Sequence, residues 1–579
     1  MNILLALALT LGILFFGVRV YGRLVGKWLG EDLSQTTPAT EIDDGVDYVP
    51  TNPNILFGHH FSSIAGAGPV IGPVVGVLFG FMPVWLWILI GSVFIGAVHD
   101  FAALFVSLRE KGRSIAEVVR QTLGTVGFFF FVCFAIMVVA LISASFITTT
   151  VASLVSKVPI ERLGLGADQT IITTIVENGV TYGVIGGIAS TSVIIITLVA
   201  PILGLLIYKR GIPIGLGYLL AAIFALASIK IGIDFPLVLN HATWMIILSI
   251  YVTVAAALPI WLILQPRDFT NVQILYIGII IILITIIIGG FQGVTIQAPA
   301  VDLSSGEEKL GFVWPFLFVT VGCGAVSGFH SIVATGMTSK QLAQEGQARK
   351  IGYNAMILEG LLAAGTVIII CAAISNQEYM RFVWPDPGVG KSNPILAFSL
   401  SMGIMMNQTI GIPTYYGSIF GILLIEGFVL TTLDASVRLN RYMLEEVWNV
   451  VFKGNVPWAM KQPWFNAGLA VLLMLWLAWN NAFTSLWPLF ATTNQLLAAL
   501  TLLTVSSWLF KRQRKAWYTF IPAIFMVFTA IASLLFMLGS LITQIQTGVD
   551  LSGSITLLVM DILCLGLAVG VVALAIGEN

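Results

Sequence analysis

The sequence predicts an all-α polytopic membrane protein with about 15 transmembrane helices, and three observations support this class. Of its 579 residues, 58% are hydrophobic and only 9% are charged, whereas soluble domains carry about a quarter charged residues. Apolar stretches long enough to cross a bilayer recur along the whole chain. Lys and Arg concentrate in alternate loops between these stretches, as expected of the cytoplasmic loops of a membrane protein.

The candidate spans are apolar stretches that approach the roughly 20 residues a helix needs to cross a bilayer. They lie at 2–19, 54–80, 83–107, 127–156, 182–207, 213–230, 243–264, 272–290, 313–337, 352–375, 412–436, 463–480, 483–508, 516–539 and 553–576. The basic residues, with Arg267 counted in a cytoplasmic loop, place the N-terminus outside and the C-terminus in the cytoplasm. The stretch 394–407 is too short to span, so we expect it at the outer interface or as a re-entrant segment.

Two polar loops separate the spans. The segment 28–53 carries an acidic run and prolines, which predicts a cytoplasmic linker, and 157–181 is expected outside the membrane with a short helix. The net charge of −1 argues against nucleic acid as a partner, which leaves the lipid bilayer and a small-molecule substrate. The sequence does not indicate an oligomeric state.

Two short stretches of the chain resemble each other. FSSIAGAG at 61–68 and FHSIVATG at 329–336 share Phe, Ser, Ile and Gly at four positions. The span count places the two copies in opposite directions across the membrane. Inverted repeats with interrupted helices near the midplane are typical of the substrate site of a secondary transporter.

Glycine and proline interrupt both copies, which predicts helices broken within the membrane. A break exposes backbone polar groups, which are costly unless they face protein or a polar cavity. The N-termini of half-helices also favour an anion such as a carboxylate. The alternative is that the glycines only allow close helix packing. The candidate substrate-binding residues are Ser62, Ser63, Gly66, Ala67, Gly68, Ser327, Gly328, Ser331 and Asn494; for Asn494, simple interhelical hydrogen bonding is the alternative role.

Ionisable side chains within the spans form a second group of candidates, because such groups are costly in the membrane and usually functional. They are His59, His60, His99, Asp100, His330, Glu359, Glu426 and Asp434. Histidine titrates near neutral pH, so one interpretation is a proton relay and the other is a gate held by structural ion pairs. We expect Asp434 to pair with Arg438, one helical turn away on the same face.

A sodium site is an open alternative to the proton relay. Thr431 and Thr432 could provide hydroxyl ligands, with backbone carbonyls near Ala65 completing the site. Threonine in a membrane helix more often bonds its own backbone, however. No resident metal or other cofactor is expected, and Asp561 in the last span has no assigned role.

Five longer motifs are distinctive: FGHHFSSIAGAGPVIGP, HDFAALFVSLREKGRSIAEVV, QARKIGYNAMILEG, TTLDASVRLNRYMLEE and WPLFATTNQLLAAL. Together they resemble the carbon starvation protein A (CstA) family of bacterial inner-membrane transporters, from about residue 2 to 510. The resemblance implies uptake under carbon limitation, with pyruvate and short peptides as the substrates of different members and proton symport for the pyruvate members. It also implies an N-terminal region, 1–390, and a C-terminal region, 391–579.

By analogy, the resemblance implies a LeuT-like core formed by spans two to six and nine to thirteen, with the other spans peripheral. The leading hypothesis is therefore a non-enzymatic importer of a small carboxylate, pyruvate first, by proton symport. Short-peptide transport and sodium coupling are the alternatives. A membrane metalloenzyme is a remote alternative, since the histidines lack the usual ligand spacings, and so is a channel, since no filter-like repeat is present.

Overall fold

The computed structural model describes every residue except 33, 46–47, 167–168, 170, 178, 386–391, 482, 549–550 and 578–579. In this part of the chain, 12 helices are long and apolar enough to cross a membrane, and the apolar helices His241–Ala257 and Pro463–Trp479 are shorter. The predicted stretch 313–337 is divided into short helices. The all-α polytopic class is confirmed, and the helices fall on the predicted apolar stretches.

The helices before residue 300 include the two halves of an interrupted membrane segment, 53–76, which we call the first broken rod, and a long segment, 115–154, that is kinked at Gly124. They are α1 (Ile3–Phe16), α2 (Gly22–Leu29), α3 (Pro38–Ile42), α4 (Pro53–Ile64), α5 (Gly68–Gly76), α6 (Phe81–Gly91), α7 (Ala97–Arg109), α8 (Ile115–Leu154), α9 (Ile185–Gly204), α10 (Ile214–Asp234), α11 (His241–Ala257) and α12 (Leu264–Phe291). Short π-helical turns join α1 to α2 and α6 to α7.

The helices after residue 300 include the pieces of a second interrupted membrane segment, 313–336, which we call the second broken rod. They are α13 (Leu303–Lys309), α14 (Val313–Thr320), α15 (Gly322–Ala325), α16 (Phe329–Gly336), α17 (Asn354–Ala373), α18 (Asn376–Val383), α19 (Pro394–Ile410), α20 (Thr414–Val451), α21 (Pro463–Asn480), α22 (Phe483–Lys511), α23 (Trp517–Thr547) and α24 (Leu551–Gly577).

The packing of the helices repeats between the two halves. The long helices α8 and α20 pack against each other, as do α11 and α21. Helix α12 packs on α20, α17 and the first broken rod, and α22 packs correspondingly on α8, α7 and the second broken rod. The helices that correspond to α21 and α22 are therefore α11 and α12, which are spans seven and eight. The expectation that spans two to six form the first half is wrong, because α9 and α10 form a hairpin beside this core.

The inner and outer helices differ in burial. All residues in the most apolar stretch of the first broken rod are buried, whereas only 28% of the residues in the most apolar stretch of 215–234 are buried. Large apolar side chains of α1, α10 and α23 are exposed, as expected of helices whose outer faces meet lipid. The broken rods therefore lie at the centre of the bundle.

The structure adds detail to three expectations about the loops. The segment 157–181 contains a short helix, the 3-10 helix Ile160–Leu163, and also contributes to an antiparallel sheet that sequence reasoning missed. The sheet consists of β1 (Val158–Pro159), β2 (Thr174–Glu177) and β3 (Val180–Gly183), in the order β1-β3-β2. Its β-branched residues favour strands, and Gly179 has the positive φ of 78° that suits a tight turn. The stretch 394–407 forms α19, whose side chains are buried against α17 and α20; this fits a re-entrant segment better than an interfacial one.

The segment predicted as a cytoplasmic linker is held against the chain that follows α16. The backbone N–H groups of Val49 and Thr51 donate to the carbonyls of Lys340 and Gln341, at 3.2 and 3.0 Å. The buried Thr37 hydroxyl donates to the carbonyl of Leu342. We call the described residues of 28–53 the strap.

Candidate functional site

The two broken rods meet at their interruptions. The first rod is non-helical at 65–67, between α4 and α5, and the second at 326–328, between α15 and α16. A Cβ added at Gly68 would lie 2.1 Å from Cβ of Cys323. The first and second broken rods are therefore in contact beside their interruptions. The prediction that both rods are interrupted and adjacent is confirmed.

A cavity of about 10 Å³ lies between the breaks. Its walls are formed by Ile64, Gly66, Gly68, Ile142, Phe146, Cys323, Ser327, Phe329, Thr432, Phe490 and Asn494. This space suffices for about one water molecule, so an organic substrate requires the rods to move apart. The aromatic pair Phe146 and Phe490, with ring centroids 5.6 Å apart, closes one wall and carries no distinctive signal in the sequence.

Asn494 of α22 caps the second break. Its Oδ1 accepts the backbone N–H of Phe329 at 2.9 Å, and its Nδ2 donates to Oγ of Ser327 at 3.1 Å. The backbone carbonyl of Asn494 also accepts the N–H of Gly328 at 3.1 Å. The N-terminus of α16 is therefore satisfied by protein, whereas the N-terminus of α5 begins at Gly68, in the cavity wall.

The predicted substrate-binding residues divide into two groups. Gly66, Gly68, Ser327 and Asn494 line the cavity. The other five lie beside it: the hydroxyls of Ser62 and Ser63 donate to the carbonyl of His59, and Ser331 donates to the carbonyl of Gly328, while Ala67 and Gly328 supply backbone to the breaks. Assignment of any of these residues to substrate binding stays a prediction.

A buried chain of ionisable groups joins α7, α16 and α17. Nδ1 of His99 lies 2.7 Å from Oδ1 of Asp100, whose Oδ2 lies 2.8 Å from Nδ1 of His330. Nε2 of His330 lies 3.4 Å from Oε2 of Glu359. His330 follows the break of the second rod by two residues, so this chain, which we call the His330 network, links the break to two neighbouring helices.

A second buried ionic group lies between α4, α11, α12 and α20. Nδ1 of His59 lies 3.1 Å from Oδ2 of Asp268. Nη1 of Arg267 lies 2.6 Å from Oδ2 of Asp434, and the same carboxylate oxygen accepts the Tyr251 hydroxyl at 2.7 Å. We call these five residues the Arg267 network. His60 takes part in neither contact set; its Nδ1 lies 2.8 Å from the hydroxyl of Thr338.

The Arg267 network corrects two expectations from the sequence. The assignment of Arg267 to a cytoplasmic loop is wrong, because α12 begins at Leu264 and buries the side chain. Asp434 pairs with Arg267 rather than with Arg438, whose guanidinium donates to the carbonyls of Ala255 and Leu258. The signal in the sequence that could have indicated a buried Arg267 is its adjacent opposite charge, Asp268, a few residues before an apolar span.

The remaining candidates lie close to these groups. Glu426 accepts a hydrogen bond from the hydroxyl of Ser153. Of the possible sodium ligands, Thr431 accepts from the Asn271 amide at 3.1 Å, and Thr432 donates to the carbonyl of Ser63 at 3.3 Å. Ala65 lies in the first break itself. Within the described ranges, no group of three His, Cys, Asp or Glu side chains could hold a metal ion.

The sequence matches the family model described as carbon starvation protein CstA over residues 2–387 and 378–533. This chain belongs to the CstA family. It is 31% identical to the Escherichia coli K12 protein named peptide transporter CstA, over 90% of this chain and 79% of the relative. It is 32% identical to the E. coli K12 pyruvate/proton symporter BtsT, over 86% of this chain and 76% of that protein. The Campylobacter jejuni peptide transporter CstA is 30% identical over 89% of this chain and 77% of its own length.

The fold also resembles a solved transporter. The crystal structure of a mutant manganese transporter of Eremococcus coleocola superposes with a TM-score of 0.50 at 10% identity, over 93% of this chain and 99% of the other. At this identity the likeness concerns the fold alone. The CstA relatives place this multi-pass protein among membrane transporters.

Proposed function

We propose that this CstA family member imports a small carboxylate, pyruvate first, together with protons across the bacterial inner membrane. The observation that carries the proposal is the position of His330, two residues after the break in the second rod and between Asp100 and Glu359. An imidazole, which can carry a proton, is thereby tied to the helix that has to move for a substrate to enter.

The His330 network supplies a physical route from proton to movement. With a proton on His330, the ring forms charge-assisted contacts with Asp100 on α7 and Glu359 on α17, and such contacts are stronger than neutral hydrogen bonds. Without that proton, two carboxylates lie close to a neutral ring. Proton binding and release therefore change how firmly α16 is held to its neighbours, which biases the width of the cavity between the breaks.

The cavity supports a small carboxylate as the substrate. The N-terminus of α5 begins in its wall at Gly68, and the positive end of a helix favours a carboxylate. The amide of Asn494 adds a donor group from α22. Two E. coli relatives carry the names pyruvate/proton symporter and peptide transporter, and both substrates carry a carboxylate.

Short-peptide transport is the second candidate. Seven relatives that match 86% to 90% of this chain are named peptide transporters. A peptide needs a longer cavity and a partner for its amino terminus, for which Glu426 is available near the centre of α20. Sodium coupling through Thr431 and Thr432 stays open as the alternative to protons.

Uptake into proteoliposomes tests the proposal. Labelled pyruvate and a labelled dipeptide are offered separately, with an imposed pH gradient, with an imposed sodium gradient and with neither. We expect pyruvate to accumulate above equilibrium only with the pH gradient. The His330→Gln variant should abolish this gradient-driven accumulation but retain pyruvate exchange, and His241→Gln, outside the His330 network, should behave as the unmodified protein. Accumulation driven only by sodium would refute the proton relay.

A further inference from the structure

A second, larger cavity lies beyond the end of α16, away from the breaks. It has a volume of about 210 Å³ and is lined by Gly45, Val49, Thr51, Lys209, Ile260, Trp261, Gln265, Gly336, Met337, Lys340, Gln341 and Tyr442. The strap forms one wall, the chain after α9 and the loop before α12 form another, and the chain after α16 forms a third. We call this cavity the vestibule.

The described side chains that line the vestibule carry positive charge. Lys209 and Lys340 are the charged side chains among them, together with neutral polar and apolar residues. Glu446, the carboxylate of the adjoining cavity that Lys340 also lines, accepts a hydrogen bond from Ser114 at 3.0 Å. Glu446 also attracts Lys340 electrostatically, so among the described residues two lysines face one nearby carboxylate, which leaves a local potential that attracts small anions.

Aromatic rings hold the two lysines at the cavity wall. Nζ of Lys209 lies 5.0 Å from the ring centroid of Trp261, and Nζ of Lys340 lies 5.6 and 5.7 Å from the rings of Tyr48 and Tyr442. Cation–π contacts of this kind position an ammonium group without neutralising its charge. The hydrogen-bonding capacity of both lysines therefore remains available to a ligand.

The vestibule leads toward the buried histidines. A narrower pocket, with a volume of about 20 Å³, is lined by Thr51, Asn54, Gly58, His59, Gln265, Gln341 and neighbouring aromatic residues. It shares Thr51, Gln265 and Gln341 with the vestibule. Nε2 of Gln265 lies 3.3 Å from Oε1 of Gln341, so this amide pair forms the partition between the two spaces.

We infer that the vestibule is a separate binding site for a small carboxylate, which Lys209 and Lys340 hold on its path between the aqueous phase and the pocket at His59. The inference rests on the proposed function for the identity of the carboxylate. It adds a site that lies outside the helix breaks and outside both ionic networks. The strap and the chain after α16 belong to the predicted cytoplasmic side, where an importer releases its substrate, so loss of either lysine should raise the KM for pyruvate that enters from that side and leave the KM for uptake from the outside nearly unchanged.

Lysine footprinting tests the site without requiring transport. The intact protein in nanodiscs of phosphatidylcholine is acetylated briefly, and each lysine is quantified by mass spectrometry with pyruvate or with its neutral amide. At a pyruvate concentration of about ten times the Kd, we expect acetylation of Lys209 and Lys340 to slow about tenfold, because only the unoccupied fraction reacts. Exposed Lys461, on another loop, should react equally in all samples, and the neutral amide should protect neither vestibule lysine.

Lysine variants and a control with added anionic lipid complete the test. Lys209→Gln should abolish pyruvate protection of Lys340, and Lys340→Gln should abolish that of Lys209, whereas Lys461→Gln should change neither. Protection by added phosphatidylglycerol but not by pyruvate would identify a lipid phosphate site and overturn the inference. Pyruvate uptake without protection would also overturn it while leaving the proposed function intact. Protection without uptake would support the site and refute pyruvate transport.

Discussion

Nη1 of Arg267 lies 2.6 Å from Oδ2 of Asp434, with both side chains buried. The pair joins α12 to α20, which belong to different halves of the repeated packing pattern. The Tyr251 hydroxyl of α11 donates to the same carboxylate, so three helices converge on one buried anion. A contact of this kind fixes the halves relative to each other as long as both charges are present.

Removing one partner of the Arg267–Asp434 pair should destabilise the protein strongly. Asp434→Asn leaves a buried guanidinium without its counter-charge, which costs about 3–5 kcal/mol. The triple variant Arg267→Met, Asp434→Leu and Tyr251→Phe should recover most of that loss, because it leaves neither an unpaired charge nor a Tyr251 hydroxyl without its acceptor. Unfolding of the detergent-solubilised variants measures the effect. Lys230→Ala, at the exposed Lys230–Asp234 pair, should cost about 0–1 kcal/mol, and an equal cost at both pairs would contradict the prediction.

The contact between His59 and Asp268 predicts a shared effect on transport. Since the two groups lie 3.1 Å apart, His59→Gln and Asp268→Asn should each alter the pH profile of uptake, and the double variant should be no worse than the more impaired single one. Initial uptake rates between about pH 5 and 8, where histidine titrates, provide the measurement. Fully additive losses would show that the two residues act independently.

Because the broken rods lie so close together, we expect that a larger residue at Gly68 can be compensated by a smaller residue at Cys323. Gly68→Ala places a methyl group 2.1 Å from Cβ of Cys323, and overpacking of this kind costs about 1–3 kcal/mol. Uptake should fall with it. Adding Cys323→Gly removes the clashing atoms and should restore both stability and uptake. Gly468→Ala, at a helical glycine with no atom within 4 Å of the added methyl, is the matched control and should be tolerated; failure of Cys323→Gly to rescue would contradict direct contact.

The sequence predicts the parts of this molecule that depend on local chemistry. Glycine, proline and histidine together indicate the break after Ile64, because no continuous membrane helix accommodates them well. The burial of Arg267 escapes sequence reasoning because hydropathy alone assigns a charged residue beside a span to the loop. That burial depends on the partner Asp434, which lies 167 residues away and is brought close only by tertiary packing.

The same limit explains the error in the repeat. Spans five and six follow the first four in sequence, which favours grouping them together, whereas α11 and α12 occupy the positions that match α21 and α22. Sequence order does not show which helices pack against each other across the core. Asn494, in contrast, can be recognised because a mid-span amide has to find partners, although its partners, Phe329 and Ser327, cannot be named from the sequence.

Asn494 provides a test that separates support of the break from contact with substrate. Asn494→Leu leaves the N–H of Phe329 unsatisfied, which costs about 1–3 kcal/mol. Asn494→Asp keeps the acceptor for that N–H but places an anion in the cavity wall, so the protein should remain folded while the KM for a carboxylate substrate rises. Gln495→Leu, which removes a neighbouring amide that donates to the carbonyl of Phe318 at 3.0 Å, is the control because it lies outside the cavity wall. Unfolding temperatures and uptake kinetics of the three variants distinguish the roles: an unchanged KM in a well-folded Asn494→Asp protein would limit Asn494 to capping α16.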